Sequence, residues 1–240
     1  MEGGGNGKDL MSRTLETEWL GRVSYAEGVR VQEAFLETKL LDAALPDRLY
    51  LLEHDPVYTI GRSVSVEEAL GGGLPHPLVQ VSRGGNITFH GPGQLVGYPL
   101  LDLRERGQDL HRHLRLLEEV LVELSRSVGV EAATREGLTG VWVGERKLAS
   151  IGVGVRRWIS LHGFAINICG PLEGFSHITP CGLEGVQMTS LEAEGAAGLT
   201  VEQAAALAGE IFAARHSEPR LAVDGTLEAV GVLKERVQPG

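Results

Sequence analysis

The chain is poor in sulfur, in aromatic rings and in positive charge. It has two cysteines, Cys169 and Cys181, in 240 residues. A secreted domain stapled by disulfides carries more of them in a shorter chain, so both read as reduced thiols. Lys and Arg total 22 against 32 Asp and Glu, a net charge of -10. That balance argues against a general nucleic-acid binder, which neutralises phosphate with clustered cations. Arg156-Arg157 and the arginines from Arg104 to Arg115 are candidates for a local basic patch, and they read as solvated helix and loop charge. No apolar run reaches membrane-spanning length. Met1 to Gly7 lacks the charged start and apolar stretch of a signal peptide. A cytoplasmic protein with no membrane or nucleic-acid partner is the expectation. No Lys-Ser or Lys-Thr closes a phosphate loop, and no dinucleotide fingerprint is present. Neither a Cys-x2-Cys pair nor a His-Glu-x2-His motif offers a zinc site. His111 and His113, two apart on a helix, point to different faces.

What is present suits one sizeable domain. Apolar residues make up 42% and charged residues 22%, enough to bury a core. Residues 1–16 read as a flexible tail, and residues 17–240 as a single domain. Helical spacing runs from Tyr25 to Leu45, before Pro46. Arg48 to Glu53 and Val57 to Ile60 read as two strands around a His54-Asp55-Pro56 turn. Further strands are expected at Val79–Ser82, Ile87–His90 and Leu95–Leu103. Gln108 to Val128 is the clearest amphipathic helix, with Leu110, Leu114, Leu117, Leu121 and Leu124 on one face. Short strands follow at Val130–Thr134, Gly140–Val143, Lys147–Val155 and Trp158–Ile168. A late helix spans Val201 to Phe212, and Leu221 to Leu233 is mixed. Without strict βαβ alternation, the pattern predicts an α+β fold: a mixed, largely antiparallel sheet with packed helices.

Four segments carry candidate chemistry. Arg83 to Leu95 combines paired glycines, which let a backbone approach a ligand, with Arg83, Thr88 and His90; the plain alternative is a hairpin with a Gly-Pro-Gly turn. Gly144 to Val153 places Lys147 at the start of an apolar strand, where most lysines are simply solvated. Leu161 to Ile168 holds Asn167 among apolar residues, where a buried amide needs partners. Ile178 to Leu183 puts Cys181 on a constrained turn between proline and glycine, although most lone cysteines are small core residues. Cys169 reads as structural.

Taken together these segments resemble the lipoyl(octanoyl) transferase family. The resemblance rests on RGGNITFHGPGQLVGYPLLDL (Arg83 to Leu103), GVWVGERKLASIGV (Gly140 to Val153), LHGFAINI (Leu161 to Ile168) and ITPCGL (Ile178 to Leu183). EHDPVYTIGR (Glu53 to Arg62) and the Tyr25 helix also fit. It implies a fold like that of biotin and lipoate protein ligases, and catalysis by Cys181 and Lys147. The acyl-binding segments would be Arg83, Gly84, Gly85, Asn86, Ile87, Thr88, Phe89 and His90; Ser150, Ile151 and Gly152; and Gly163, Phe164 and Ala165. The implied donor is octanoyl-acyl carrier protein. The implied acceptors are lipoyl domains of 2-oxo-acid dehydrogenases and the glycine cleavage H protein. No cofactor or metal is implied.

Elementary chemistry agrees with such a pair. An ammonium beside a thiol favours the thiolate, the nucleophilic form. Passing a thioester to an amine is downhill, so no nucleotide is needed. Backbone amides near Gly84–Gly85 or Gly182 are alternative donors to the tetrahedral oxyanion. Rival readings are an adenylating lipoate or biotin protein ligase, a non-catalytic binding module with an inert Cys181, and a thioester hydrolase.

Overall fold

The computed structural model describes residues 14–62, 64, 73–179 and 185–217. Cys181, Gly182 and the mixed segment from Leu221 to Leu233 lie outside them. The described chain runs β1 (Leu15–Val23), α1 (Tyr25–Leu41), β2 (Asp47–His54), β3 (Val57–Ile60), β4 (Leu78–Gln80), β5 (Thr88–His90), β6 (Gln94–Leu100), α2 (Leu110–Ser127), β7 (Ala133–Arg135), β8 (Leu138–Val143), β9 (Arg146–Arg156), β10 (Ile159–Asn167) and α3 (Val201–Ser217). Strand β1 begins at Leu15, so the segment expected to be tail ends inside a strand.

Among the described residues seven strands form one sheet in the order β1-β2-β6-β10-β9-β8-β7, and three form a smaller sheet, β4-β3-β5. Pairing is antiparallel except for β1–β2 and β3–β4. This is the expected α+β fold with a mixed, largely antiparallel sheet. Both strands expected around His54-Asp55-Pro56 are present. Strands β2 and β3 do not pair around His54-Asp55-Pro56 but belong to different sheets. The Gly91-Pro92-Gly93 turn also switches sheets, from β5 to β6, so it is not a hairpin turn.

Period-two alternation sorts the sheet's two faces. Leu49, Leu51, Leu95 and Ile166 join Leu117, Leu121 and Leu124 of α2 and Ala204, Ala208 and Phe212 of α3 in the main core. Leu110 does not; it is 37% exposed at the helix start. Leu52, Val96, Tyr98 and Ala165 alternate to the opposite face. There α1 packs closely, because Gly28 leaves room for the His54 ring: a Cβ on Gly28 would stand 2.7 Å from His54 Cε1.

The helices start on side-chain caps. Ser24 Oγ accepts from Glu27 N at α1, and Asp109 Oδ1 from Arg112 N at α2. At α3 Thr200 and Gln203 exchange reciprocal bonds, Thr200 Oγ1 accepting from Gln203 N and Gln203 Oε1 from Thr200 N. This capping box satisfies two donors at once.

Candidate functional site

A narrow cavity lies between β6, β10 and β9 and the Arg83–His90 segment, with Tyr25 of α1 on its wall. It is lined by Arg83, Gly85, Asn86, Ile87, Thr88 and His90 from that segment, and by Ser150, Ile151 and Gly152 of β9. Gly163, Phe164 and Ala165 of β10 also line it. Strand pairing explains the convergence, since Ser150 faces Ala165 and Gly152 faces Gly163 in the β9–β10 ladder. Glycine is needed at two of these points. A Cβ on Gly152 would meet Arg83 Cδ at 2.9 Å, and one on Gly163 would meet the Gly97 carbonyl oxygen at 2.3 Å.

Two of the expected residues do not line the cavity. Gly84 spends its amide on the Val153 carbonyl (2.9 Å), which fastens the segment to β9. Phe89 turns away, packing 5.1 Å from the Tyr58 ring and 5.6 Å from Phe175. Four lining residues were not foreseen: Tyr25, Val96, Tyr98 and His162. Val96 and Tyr98 had a signal in the alternation of β6. His162 had none, because it reaches the cavity through a left-handed backbone (φ 57°) inside β10. Gln32 of α1 holds that irregularity by accepting from His162 N (2.7 Å).

Arg83 is a buried organiser of its own loop. Its guanidinium donates to the Gly84 and Asn86 carbonyls and to both the carbonyl and the hydroxyl oxygen of Thr59. His90 sits beside it. Its Nδ1–H donates to Gln94 Oε1 at 2.7 Å, because the Gln94 amide nitrogen is engaged with Phe89 O and Asn167 Oδ1. Burial, then the neighbouring His54, depresses the His90 pKa to about 3. Burial likewise lowers His54 and His162 to about 4. The imidazoles around the cavity are therefore neutral at pH 7. His54 accepts from the Tyr98 hydroxyl (2.6 Å) and donates to Val23 O.

Lys147 is not a solvated strand end: it is 1% exposed. Its backbone pairs with a later segment, Lys147 N donating to Gln187 O and Thr189 N to Lys147 O. Its Nζ donates to Thr139 O (3.2 Å) and lies 5.1 Å from the Trp142 ring centroid. Asn167 ties the same later segment to the cavity. Its Nδ2 donates to Thr189 O (2.9 Å) and its Oδ1 accepts from Gln94 Nε2 (3.0 Å). A chain of polar contacts thus runs from the Lys147 backbone through Thr189, Asn167 and Gln94 to His90. Cys169 is half-buried, with its thiol pushed up by burial and by the Glu192 and Glu53 carboxylates. That is the opposite of an activated nucleophile.

The sequence matches a family profile, the lipoyl protein ligase A/B catalytic domain, over residues 24–213. It is 49% identical to a Geobacter sulfurreducens protein named Octanoyltransferase, over 81% of each chain. It is 53% identical to an Octanoyltransferase of Geobacter sp. (strain M21), over 73% of this chain and 84% of that one. The chain belongs to the octanoyltransferase family. The fold is shared more widely: a crystal structure of lipoate-protein ligase A bound with ATP superposes with a TM-score of 0.67 at 15% identity, covering 85% of both chains. Within the octanoyltransferase frame the matched region includes every lining residue of the cavity and Lys147. Among the described residues no helix is long and apolar enough to cross a membrane.

Proposed function

We propose that this chain moves an octanoyl group from octanoyl-acyl carrier protein to a lysine of lipoyl domains, in 2-oxo-acid dehydrogenases and the glycine cleavage H protein. In this reading Cys181 forms the thioester and Lys147 is its acid–base partner. The observation that carries the reading is the burial of Lys147 beside the strand-like segment that follows Cys181. A lysine gives up hydration only where the surroundings use its charge. Gln187, its backbone partner, is six residues beyond Cys181, and six residues of chain reach at most about 20 Å. Relatives named Octanoyltransferase at about half identity support the acyl group.

The chemistry has two halves. The Cys181 thiolate attacks the carrier's thioester carbonyl, and the carbon–sulfur bond to the carrier breaks. Lys147 delivers a proton to the departing carrier thiolate. The acyl chain, now on Cys181, lies in the cavity, whose apolar wall is supplied by Ile87, Val96, Ile151 and Phe164. Neutral Lys147 then takes a proton from the acceptor lysine, whose amine attacks the thioester. The amide forms and Cys181 leaves as thiolate, so the cycle closes with no nucleotide consumed. The neutral imidazoles of His54, His90 and His162 leave Lys147 as the amine partner of the thiol. Octanoyltransferase family membership and the chain's acidic balance fit a cytoplasmic enzyme working without a metal or cofactor.

Intact-mass spectrometry tests this reading. Incubation with octanoyl-carrier and no ATP should add one octanoyl group to the wild-type chain and to Cys169→Ala, and none to Cys181→Ala. An adduct that persists in Cys181→Ala, or transfer that requires ATP, would overturn it.

A further inference from the structure

Among the described residues the ammonium of Lys147 donates to a peptide that is held from its other side by a carboxylate. Lys147 Nζ donates to the carbonyl oxygen of Thr139. The N–H of the same peptide, that of Gly140, donates to Glu118 Oε1 on α2 (3.1 Å). Carboxylate, peptide and ammonium therefore stand in series. Negative charge at the N–H end and positive charge at the carbonyl end polarise the peptide in the same sense, so each hydrogen bond strengthens the other.

The backbone around this peptide is built for the arrangement. Gly140 is not a paired position of either neighbouring ladder: it lies in the β7–β8 irregularity between Leu138 and Trp142, and just before Val141, where the β8–β9 pairing begins. Its amide, off the paired positions, donates to the Glu118 carboxylate. Gly140 takes φ +124°, a conformation that side chains disfavour. A Cβ there would meet Ala149 O at 2.5 Å and Lys147 Cε at 3.0 Å. The missing side chain is the space that the Lys147 stem occupies.

We infer that Glu118 is a positioning residue for Lys147, acting through the Thr139–Gly140 peptide to fix where the ammonium ends. The inference rests on the reading of Lys147 as the acid–base group. It assigns Glu118 no contact with substrate.

Three substitutions in the full chain test it. Glu118→Gln keeps an oxygen that accepts from Gly140 N–H, Glu118→Leu removes it, and Glu118→Asp keeps the charge but draws it one methylene away. The measurements are kcat and KM for octanoyl transfer, together with hydrogen exchange at the Gly140 amide. Glu118→Leu should speed Gly140 exchange and lower kcat by roughly ten- to a hundredfold, as misplacing a reacting group does, with KM unchanged. Glu118→Gln should recover most of the loss, and Glu118→Asp should fall between. Faster Gly140 exchange with kcat intact, a loss confined to KM, or a Gln variant no better than Leu would overturn the role of Glu118. If Lys147→Ala itself leaves transfer intact, the reading of Lys147 falls and takes this role with it. If Lys147→Ala abolishes transfer and Glu118→Leu does not affect it, only the role of Glu118 falls.

Discussion

Asn167 Oδ1 accepts from Gln94 Nε2 at 3.0 Å, and both side chains are buried. Through this contact two parts of the site that are far apart in sequence share one hydrogen-bond network. Gln94 fixes the tautomer of His90, and Asn167 anchors Thr189, whose backbone pairs with Lys147. Asn167→Ala should leave the Gln94 amide and the Thr189 carbonyl short of partners and cost about 1–3 kcal/mol in denaturant unfolding. Asn167→Asp should be at least as costly, since it sets a carboxylate oxygen against the Thr189 carbonyl. Both should slow octanoyl transfer. Wild-type stability in Asn167→Asp would show that the contact is dispensable.

Gly97 lies under the Phe164 ring. A Cβ at residue 97 would stand 2.1 Å from Phe164 Cζ, so the ring has to move, and the cavity it lines is the adjoining free space. Gly97→Ala should therefore narrow the cavity. Competition between hexanoyl- and octanoyl-carrier for adduct formation should shift toward the shorter chain. Overpacking of this kind costs about 1–3 kcal/mol, which a thermal melt would register. An unchanged chain-length ratio in a folded variant would count against the ring's place in the acyl path.

His113 on α2 is buried, and neither ring nitrogen has a hydrogen-bond partner among the described residues. Burial, then the Arg106 cation, lowers its pKa to about 4 from 6.5. The unfolded chain takes up this proton near the ordinary value and the folded chain only near 4. Stability is thus whole above pH 6.5 and declines as pH falls toward 4. His54, His90 and His162 act in the same direction. His113→Met should raise stability at pH 7 by about 1 kcal/mol and shrink the loss between pH 6.5 and 4, as read from urea melts at pH 7 and 5.

Lys39 and Asp47 form an ion pair of 3.2 Å in which both side chains are wholly buried. Lys39 Nζ also donates to the Leu45 carbonyl. Burial opposes ionisation of Asp47, but the His216 hydrogen bond, the Lys39 cation, the Asp102 amide and Arg106 outweigh it and hold its pKa near 2. This contribution is complete above the usual value of 3.8 and is lost as pH falls toward 2. Asp47→Asn would strand the ammonium and should cost about 3–5 kcal/mol. The variant's stability should also vary less with pH between 4 and 2.

The elements that the sequence announced are those with a strong period. The α2 face from Leu117 to Leu124 and the long strands β9 and β10 stand where the patterns put them. Strand β1 was not foreseen because it is an edge strand whose residues are all exposed or half-buried, so it shows no clear alternation. The sheet switch between β2 and β3 escaped because a short turn between two strand patterns looks the same whether or not they pair. Most lining residues of the cavity were legible through the family resemblance, and of them only the Arg83–His90 stretch stood out by its paired glycines. The burial of Lys147 was not, since the segment that covers its backbone, Gln187 to Thr189, comes some forty residues later in the sequence. Glu118 was invisible for the same reason: its partner amide, that of Gly140, lies beyond the helix end, on the second strand of the next hairpin.

The β9–β10 hairpin carries Lys147, Ser150 to Gly152, Gly163 to Ala165 and Asn167 on one continuous stretch. Its reversal is made by two residues, Arg157 and Trp158, both left-handed at φ 50° and 64°, as the right-handed twist of paired strands demands. Sliding one strand past the other by a single step would swap the faces of the sheet on which these side chains stand. A loop tip with no part in the chemistry therefore acts as the ruler of the whole pocket. Lengthening it by one residue should do more harm than many substitutions nearer the reacting atoms.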